Sequence, residues 1–192
     1  AACSQPCTVV LKCARRADAR ALHRLQHECA VLRPLRHPNI VRLAHRQLMA
    51  PFHAAFAATL ALEYVRDSVE VVVLLDEHGS LSESLALHIA AQVAVGLAYL
   101  HANAVVHRDV KPDNMLYSRH TGHVHIIDFD LARRLTPERP VDQFCGTPLY
   151  CAPQVLCNQP YPGPDGDVWS LGVSLYVMLN GRFPWSGEHD SL

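Results

Sequence analysis

Apolar and polar positions follow two different periods along the 192 residues of the chain. Thr8-Val9-Val10-Leu11 is a short, β-branched apolar run that stops at Lys12, the pattern of a buried strand. Leu22, Leu25, Cys29 and Leu32 then recur at helical spacing until Pro34 and Pro38 close the segment. A helical projection places Glu28 at the edge of that apolar stripe, where a carboxylate needs a cation. Two further strand-like runs, 40–43 and 59–65, flank an alanine-rich connection that neither period assigns.

Ser80-Leu81-Ser82-Glu83 has the form of a capping box, and Leu85, Ile89, Val93, Leu97 and Leu100 follow as one apolar helical face. Residues 115–117 and 124–127, parted by a turn with Gly122, predict a hairpin. Residues 167–179 are apolar nearly all round and precede Gly181, which predicts a fully buried helix with a glycine stop. Strands first and helices later predict an α+β arrangement with a smaller sheet-rich part and a larger helical part.

Composition narrows the classes of partner. A net charge of -1 provides no basic footprint for nucleic acid and no polybasic patch for an anionic membrane. The most apolar stretch, 89–106, carries Gln92, His101 and Asn103, so it reads as a core helix and not as a membrane span. No charged, then apolar, leader pattern opens the chain, which begins at Ala1. The seven cysteines form no CxxC pair and no zinc spacing, so they read as free thiols of a reducing cytoplasmic or nuclear setting. His123 and His125 fall on one face of a short strand beside a turn, which reads as solvated surface in preference to a metal site.

The chemistry is concentrated in Val106-His107-Arg108-Asp109-Val110-Lys111-Pro112-Asp113-Asn114, which resembles the catalytic loop of protein kinases. Ile126-Ile127-Asp128-Phe129-Asp130 follows and resembles the family's magnesium-binding motif, with Asp130 where glycine is usual. Upstream, Val9-Val10-Leu11-Lys12 resembles the strand whose lysine holds the α- and β-phosphates, with Glu28 as its helix partner. Leu62-Glu63-Tyr64-Val65 resembles the hinge that meets adenine, and Asp67 and Glu70 are alternative ribose contacts. Cys145-Gly146-Thr147-Pro148 and Ala152-Pro153-Gln154 resemble the end of an activation segment, and Gln154 replaces the usual glutamate.

The resemblance implies a two-lobed protein-kinase-like fold, with 1–65 in a small antiparallel-sheet lobe and 66–192 in a larger helical lobe, both incomplete. It implies phosphoryl transfer from ATP, with Mg2+, to serine or threonine hydroxyls of a protein substrate. Asp109 would be the catalytic carboxylate, Lys111 would face the γ-phosphate, and Asn114 and Asp128 would hold the metal. Leu62, main-chain groups of Glu63 and Val65, and the Lys12–Glu28 pair would hold the nucleotide. Asp167 would brace the catalytic loop through backbone donors, and 176–185 is closest in style to calcium/calmodulin-dependent kinases.

Only eleven residues precede Lys12, none of them glycine, so the glycine-rich lid over the phosphates is expected to be missing, as are the helices that would follow Leu192. A non-catalytic kinase-like module that docks or regulates is the rival reading. Non-glycine Asp130 implies backbone strain of roughly 1 to 2 kcal/mol. Gln143 stands where many kinases carry an activating phosphothreonine, and Thr136 is the sole hydroxyl between Asp130 and Cys145. The expectation is activity independent of phosphorylation in that segment, with Asp142 or Glu138 as fixed negative charge.

Overall fold

Two antiparallel strands, β1 (Val9–Arg15) and β2 (Phe56–Glu63), form the first sheet. The structure, a computed structural model, describes residues 8–45, 48–50, 53–136, 141 and 144–185. Val9 pairs with Glu63 and Lys12 with Leu60, and the register shifts at Ala14/Arg15. Because among the described residues β1 has β2 as its only neighbour in this sheet, its start is not buried as expected: Val10 and Leu11 are 44% and 43% exposed. β2 also begins earlier than the β-branched run suggested. Ala57 and Ala58 lie in the strand, whereas Tyr64 and Val65 lie beyond it.

The helix α1 (Ala19–Leu32) packs on this sheet. Asp18 caps it by accepting from the Ala21 N–H at 2.8 Å, and Leu25, Glu28, Cys29, Val31 and Leu32 form its buried side. The predicted strand at 40–43 is not one. Ile40 makes a single parallel bridge to Ile126 and Leu43 a single antiparallel bridge to Leu62, because Pro38 and the turn before Ile40 leave too little extended chain for a ladder.

The second part holds α2 (Val71–His78), α3 (Glu83–Ala102) and α5 (Pro164–Asn180), with the short α4 (Pro153–Leu156) between the last two. Its small sheets are β3 (Ser68–Glu70), β5 (Met115–Ser118) and β6 (Val124–Ile126) in the order β3-β5-β6, and β4 (Val105–Val106) with β7 (Arg133–Arg134). The expected hairpin is β5–β6. The helix α2 was not expected from Val71-Val72-Val73, a β-branched run; burial of Val71, Leu74 and Leu75 overrides that local preference.

The cap of α3 is Ser82, not Ser80. The Leu81 N–H is bonded to Met178 O at 2.7 Å, and the Ser82 carbonyl accepts the first helical bond, from Ala86, at 2.9 Å. By length and composition α3 is apolar enough to cross a membrane. It packs instead on α5 and β6, with Ile89, Val93, Leu97 and Leu100 buried, and its polar Gln92 is bonded to Asn39 at 3.0 Å.

One core runs through both parts, from Leu25 and Leu32 of α1 through the fully buried Phe129 to α3 and Met178 of α5. The result is the expected α+β, two-lobed arrangement, a small antiparallel sheet region beside a helical body. Two details of α5 differ from the prediction: it starts at Pro164, and it is buried on one side only. Asp167, Ser170 and Ser174 are inside, while Val168 is 61% exposed and Trp169 40%. The inward hydroxyls are satisfied, Ser170 to Gly166 O at 2.9 Å and Ser174 to Ser170 O at 2.7 Å. Polar side chains can therefore face the core while apolar ones face out.

Gly181 ends α5 in the left-handed region, at φ 65°, with its N–H on Val177 O at 2.8 Å. A Cβ there would lie 2.1 Å from the Gly79 carbonyl oxygen. Gly181→Ala is expected to cost at least about 2 kcal/mol, a fall in melting temperature of roughly 4 to 8 °C. Gly172→Ala, in the same helix with no atom within 4 Å of the added Cβ, is expected to leave the melt unchanged or raise it by about 2 °C. Thermal denaturation followed by circular dichroism measures both, and equal melts for the two variants would refute the steric account.

Candidate active site

The site begins with a strand lysine and a helix carboxylate. Alternation along β1 directs Lys12 toward α1, where its Nζ donates to Glu28 Oε1 at 2.8 Å and Oε2 at 3.0 Å. The same ammonium reaches Asp128 Oδ1 at 2.9 Å and lies 3.9 Å from Asp130 Oδ1. Glu28 is fully buried, and Phe129 N–H donates to its Oε1 at 3.3 Å. Burial, with a smaller push from neighbouring Asp130, raises the Glu28 carboxyl to about 7 against the pull of Lys12. Burial opposes the charge on Lys12, yet Glu28 and Asp128 prevail and hold its pKa above the usual value. Burial likewise opposes the ionised form of Asp128, and the bond from Lys12 outweighs it, so this carboxyl titrates below the ordinary range.

A second cluster is built on the loop between β4 and β5. His107 is fully buried, its Nε2 3.0 Å from Ile127 O and its ring edge-on to Phe129 with centroids 4.9 Å apart. The next residue, Arg108, takes φ 68°, a left-handed backbone that costs a non-glycine residue roughly 1 to 2 kcal/mol. Asp167 holds that turn. Its Oδ2 accepts from His107 N at 2.9 Å and its Oδ1 from Arg108 N at 2.8 Å. His101 Nε2 meets Oδ2 at 2.8 Å, a contact absent from the sequence reading. Its signal was a polar residue inside an otherwise apolar helical stripe.

Past the turn, Asp109 is the point of convergence. Its Oδ1 accepts from Thr147 N at 3.0 Å and Thr147 Oγ1 at 2.9 Å, and its Oδ2 from Asn114 Nδ2 at 3.0 Å. Lys111 Nζ lies 3.3 Å from Asp109 Oδ2 and donates to Thr147 Oγ1 at 2.7 Å. Asn114 Nδ2 also donates to Asp109 O at 2.8 Å, which leaves the amide oxygen as the atom this side chain can offer a cation. The two clusters are tied together where Ile127 N–H donates to Asn114 O at 3.0 Å.

Asp128 carries the left-handed backbone of its motif, at φ 62°, and Asp130 is not among the described residues with positive φ. The strain expected at Asp130 is therefore found two positions upstream, at Asp128, and the effect of Asp130 is electrostatic. Glu28, Asp128 and Asp130 present carboxylate oxygens within 4.8 Å of one another. Oxygen donors of this kind, with Asn114, fit a hard divalent cation. A cavity of about 370 Å³ opens beside them, lined by Lys12, Cys13, Arg24, Asp128 and Asp130.

Leu62 lies buried in β2 opposite Val10, Glu63 ends the strand, and Val65 follows in the turn, its carbonyl accepting from Ser68 Oγ at 2.7 Å. The Glu63 side chain points to Arg42, with Oε1 2.8 Å from Arg42 N and Oε2 3.3 Å from Nε. Of the alternative ribose contacts, Asp67 takes φ 50° and Glu70 ends β3. His123 and His125 are half-buried: their rings lie edge-on to each other and line a cavity with the 36–38 segment, and His123 Nε2 lies 3.2 Å from Pro38 O. Glu138, Asp142 and Gln143 lie outside the described residues.

Comparison with known proteins agrees with this geometry. The family described as the protein kinase domain matches residues 3–192. Probable serine/threonine-protein kinase MARK-A of Dictyostelium discoideum is 36% identical over 172 residues, 90% of this chain and 16% of that protein. SNF1-related protein kinase catalytic subunit alpha KIN12 of Arabidopsis thaliana is 37% identical over 166 residues, 86% of this chain and 32% of the relative. Serine/threonine-protein kinase ppk25 of Schizosaccharomyces pombe is 38% identical over 162 residues, 84% of this chain and 37% of the relative. The chain thus spans well under half the length of these relatives. By its motifs, its fold and these similarities, the chain belongs to the protein kinase family.

Proposed function

We propose that the protein containing this chain transfers the γ-phosphoryl group of ATP to serine or threonine hydroxyls of protein substrates. The observation that carries the reading is the convergence of Lys111, Asn114 and Thr147 on Asp109, one loop away from the Lys12–Glu28–Asp128 chain. Phosphoryl transfer asks for two oxygens held in line and for positive charge around the moving group, with little covalent work left to the protein. Asp109 is placed to orient the acceptor hydroxyl and receive its proton. Lys111, already on a threonine hydroxyl, offsets charge on the transferred phosphoryl group. Lys12, fixed by Glu28, meets the α- and β-phosphates, and Leu62 with main-chain groups of Glu63 and Val65 holds adenine. Mg2+, held by Asp128 and Asn114, supplies neutralisation of the phosphate oxygens when bound. In this reading 1–65 belongs to the small lobe and 66–192 to the large one, in a protein of the cytoplasm or nucleus.

Asp109→Asn is expected to lower turnover on a generic protein substrate by roughly a hundredfold or more, with ATP binding by calorimetry retained. Turnover near that of the parent would remove Asp109 from its role. ATP binding without any transfer by the parent protein would favour the regulatory reading.

Arg108, whose counterpart charge in many kinases is a phosphothreonine, already donates from Nε to Leu131 O at 2.7 Å. Thr136→Ala and phosphatase treatment are each expected to leave turnover within about twofold. A large loss traced to Thr136 would show that Arg108 needs a phosphate partner.

A further inference from the structure

Behind the end of β2, on the far side of Glu63 from its backbone, lies a second cavity of about 420 Å³. Arg36, His37 and Pro38 form one wall, and Arg42, His123 and His125 complete the lining with Glu63. None of the catalytic groups reaches it. Its side chains are cationic or imidazole, apart from Pro38 and a single carboxylate, and that carboxylate is spoken for: Glu63 Oε1 accepts from the Arg42 backbone N–H at 2.8 Å, and Oε2 forms an ion pair with Arg42 Nε at 3.3 Å. Among the described residues, the Arg36 guanidinium has the Leu35 carbonyl as a partner for one nitrogen only. A guanidinium carries five N–H donors in a planar fork, so both arginines retain donors beyond these contacts.

The imidazoles are held in a defined arrangement. His37 stacks on Tyr99 with centroids 4.9 Å apart, and its Nδ1 accepts from Asn39 N at 3.1 Å. His123 Nε2 lies 3.2 Å from Pro38 O, and its ring sits edge-on to His125 at 5.0 Å. His125 Nδ1 is buried with no hydrogen-bond partner, the one such side-chain atom among the described residues. Burial and the neighbouring His123 push His37 and His125 below the ordinary histidine range, so the standing positive charge comes from the guanidiniums. An unpartnered buried nitrogen is unfavourable, and an oxygen acceptor in the pocket would relieve it after a turn of the ring about χ2.

We propose that this pocket binds a phosphate monoester presented by a phosphorylated side chain of a protein segment. Planar guanidinium forks match the oxygens of a phosphate group, and neutral imidazoles add N–H donors without adding charge to be desolvated. The ion pair with Arg42 cancels Glu63 and leaves the charge of Arg36 in excess, the sign an anion requires. The same two guanidiniums oppose a divalent cation, and among the described residues the imidazoles do not form a three-ligand cluster. The cavity is also larger than an orthophosphate ion needs, which leaves room for the chain that carries the group.

The test titrates the chain with N-acetyl-phosphoserine amide, its unphosphorylated counterpart and inorganic phosphate, following the imidazole signals of His37, His123 and His125 by NMR. The phosphoserine probe is expected to shift these signals saturably, and the serine probe to leave them unmoved. Arg36→Ala combined with Arg42→Ala, both exposed positions whose folding is checked by circular dichroism, is expected to weaken the phosphoserine dissociation constant at least about tenfold. Unshifted imidazoles in the parent, or unchanged affinity in the folded double variant, would overturn the proposal. Inorganic phosphate binding as tightly as phosphoserine would overturn the assignment to a side chain. Stoichiometric binding of Zn2+ at these imidazoles, with phosphoserine excluded, would replace it with a metal site.

Discussion

A carboxylate removed from water must be met by donors, and Asp167 meets that condition with backbone as well as side-chain groups. It is 1% exposed, and its two oxygens take the N–H groups of His107 and Arg108 together with the ring of His101. An unpaired carboxylate at that depth would be expensive, so the loop cannot relax away from α5 without exposing the cost. The left-handed Arg108 is held in this way, and the positions of Asp109, Lys111 and Asn114 follow from it. Helix α5 therefore keeps a charge inside because that charge shapes the loop opposite.

The second constraint is charge balance around Lys12. One ammonium serves Glu28 and Asp128 directly and has Asp130 at 3.9 Å, so three carboxylates surround one cation. Glu28 comes from α1, Lys12 from β1 and the aspartates from the segment after β6. Their common partner joins the two parts of the fold through electrostatics where Phe129 joins them through packing. Removing Lys12 would leave the buried Glu28 with the Phe129 N–H but without its cation, a loss on the order of 3 to 5 kcal/mol. Asp130 adds negative charge to this arrangement without the backbone strain that an aspartate in a usual glycine position suggested.

Much of this was legible in the order of residues, and the exceptions have a common cause. Asp109, Lys111 and Asn114 lie within six positions of one another, so their spacing alone describes a single loop. Lys12 and Glu28 were paired by the family resemblance, and the edge position of the carboxylate on an apolar stripe agreed with it. The α+β, two-lobed class followed from the motifs and the order of elements. His101, Asn39 and Gln92 were not recognised, because their partners lie far along the chain and a buried polar residue shows its purpose only once the opposing backbone is in place. The helix α2 and the boundaries of β2 were missed where tertiary burial overrides local propensity, at valines that turn helical and alanines that turn extended. The displacement of the cap from Ser80 to Ser82 came from the bond between Leu81 and α5, a contact no local motif encodes.

The pairing of Lys12 with Leu60 fixes a reading frame in three dimensions. Side chains on a strand change face at every step, so one inserted or deleted residue between Val9 and Lys12 would turn Leu11 or Cys13 toward Glu28 and carry the ammonium to the opposite side. The damage would propagate to Asp128 and Phe129, which share the same buried carboxylate. Changes of length in this short segment are consequently intolerable in a way that substitutions of its exposed Val10 are not, and the length of the strand is as much a part of the Lys12–Glu28–Asp128 arrangement as the lysine it carries.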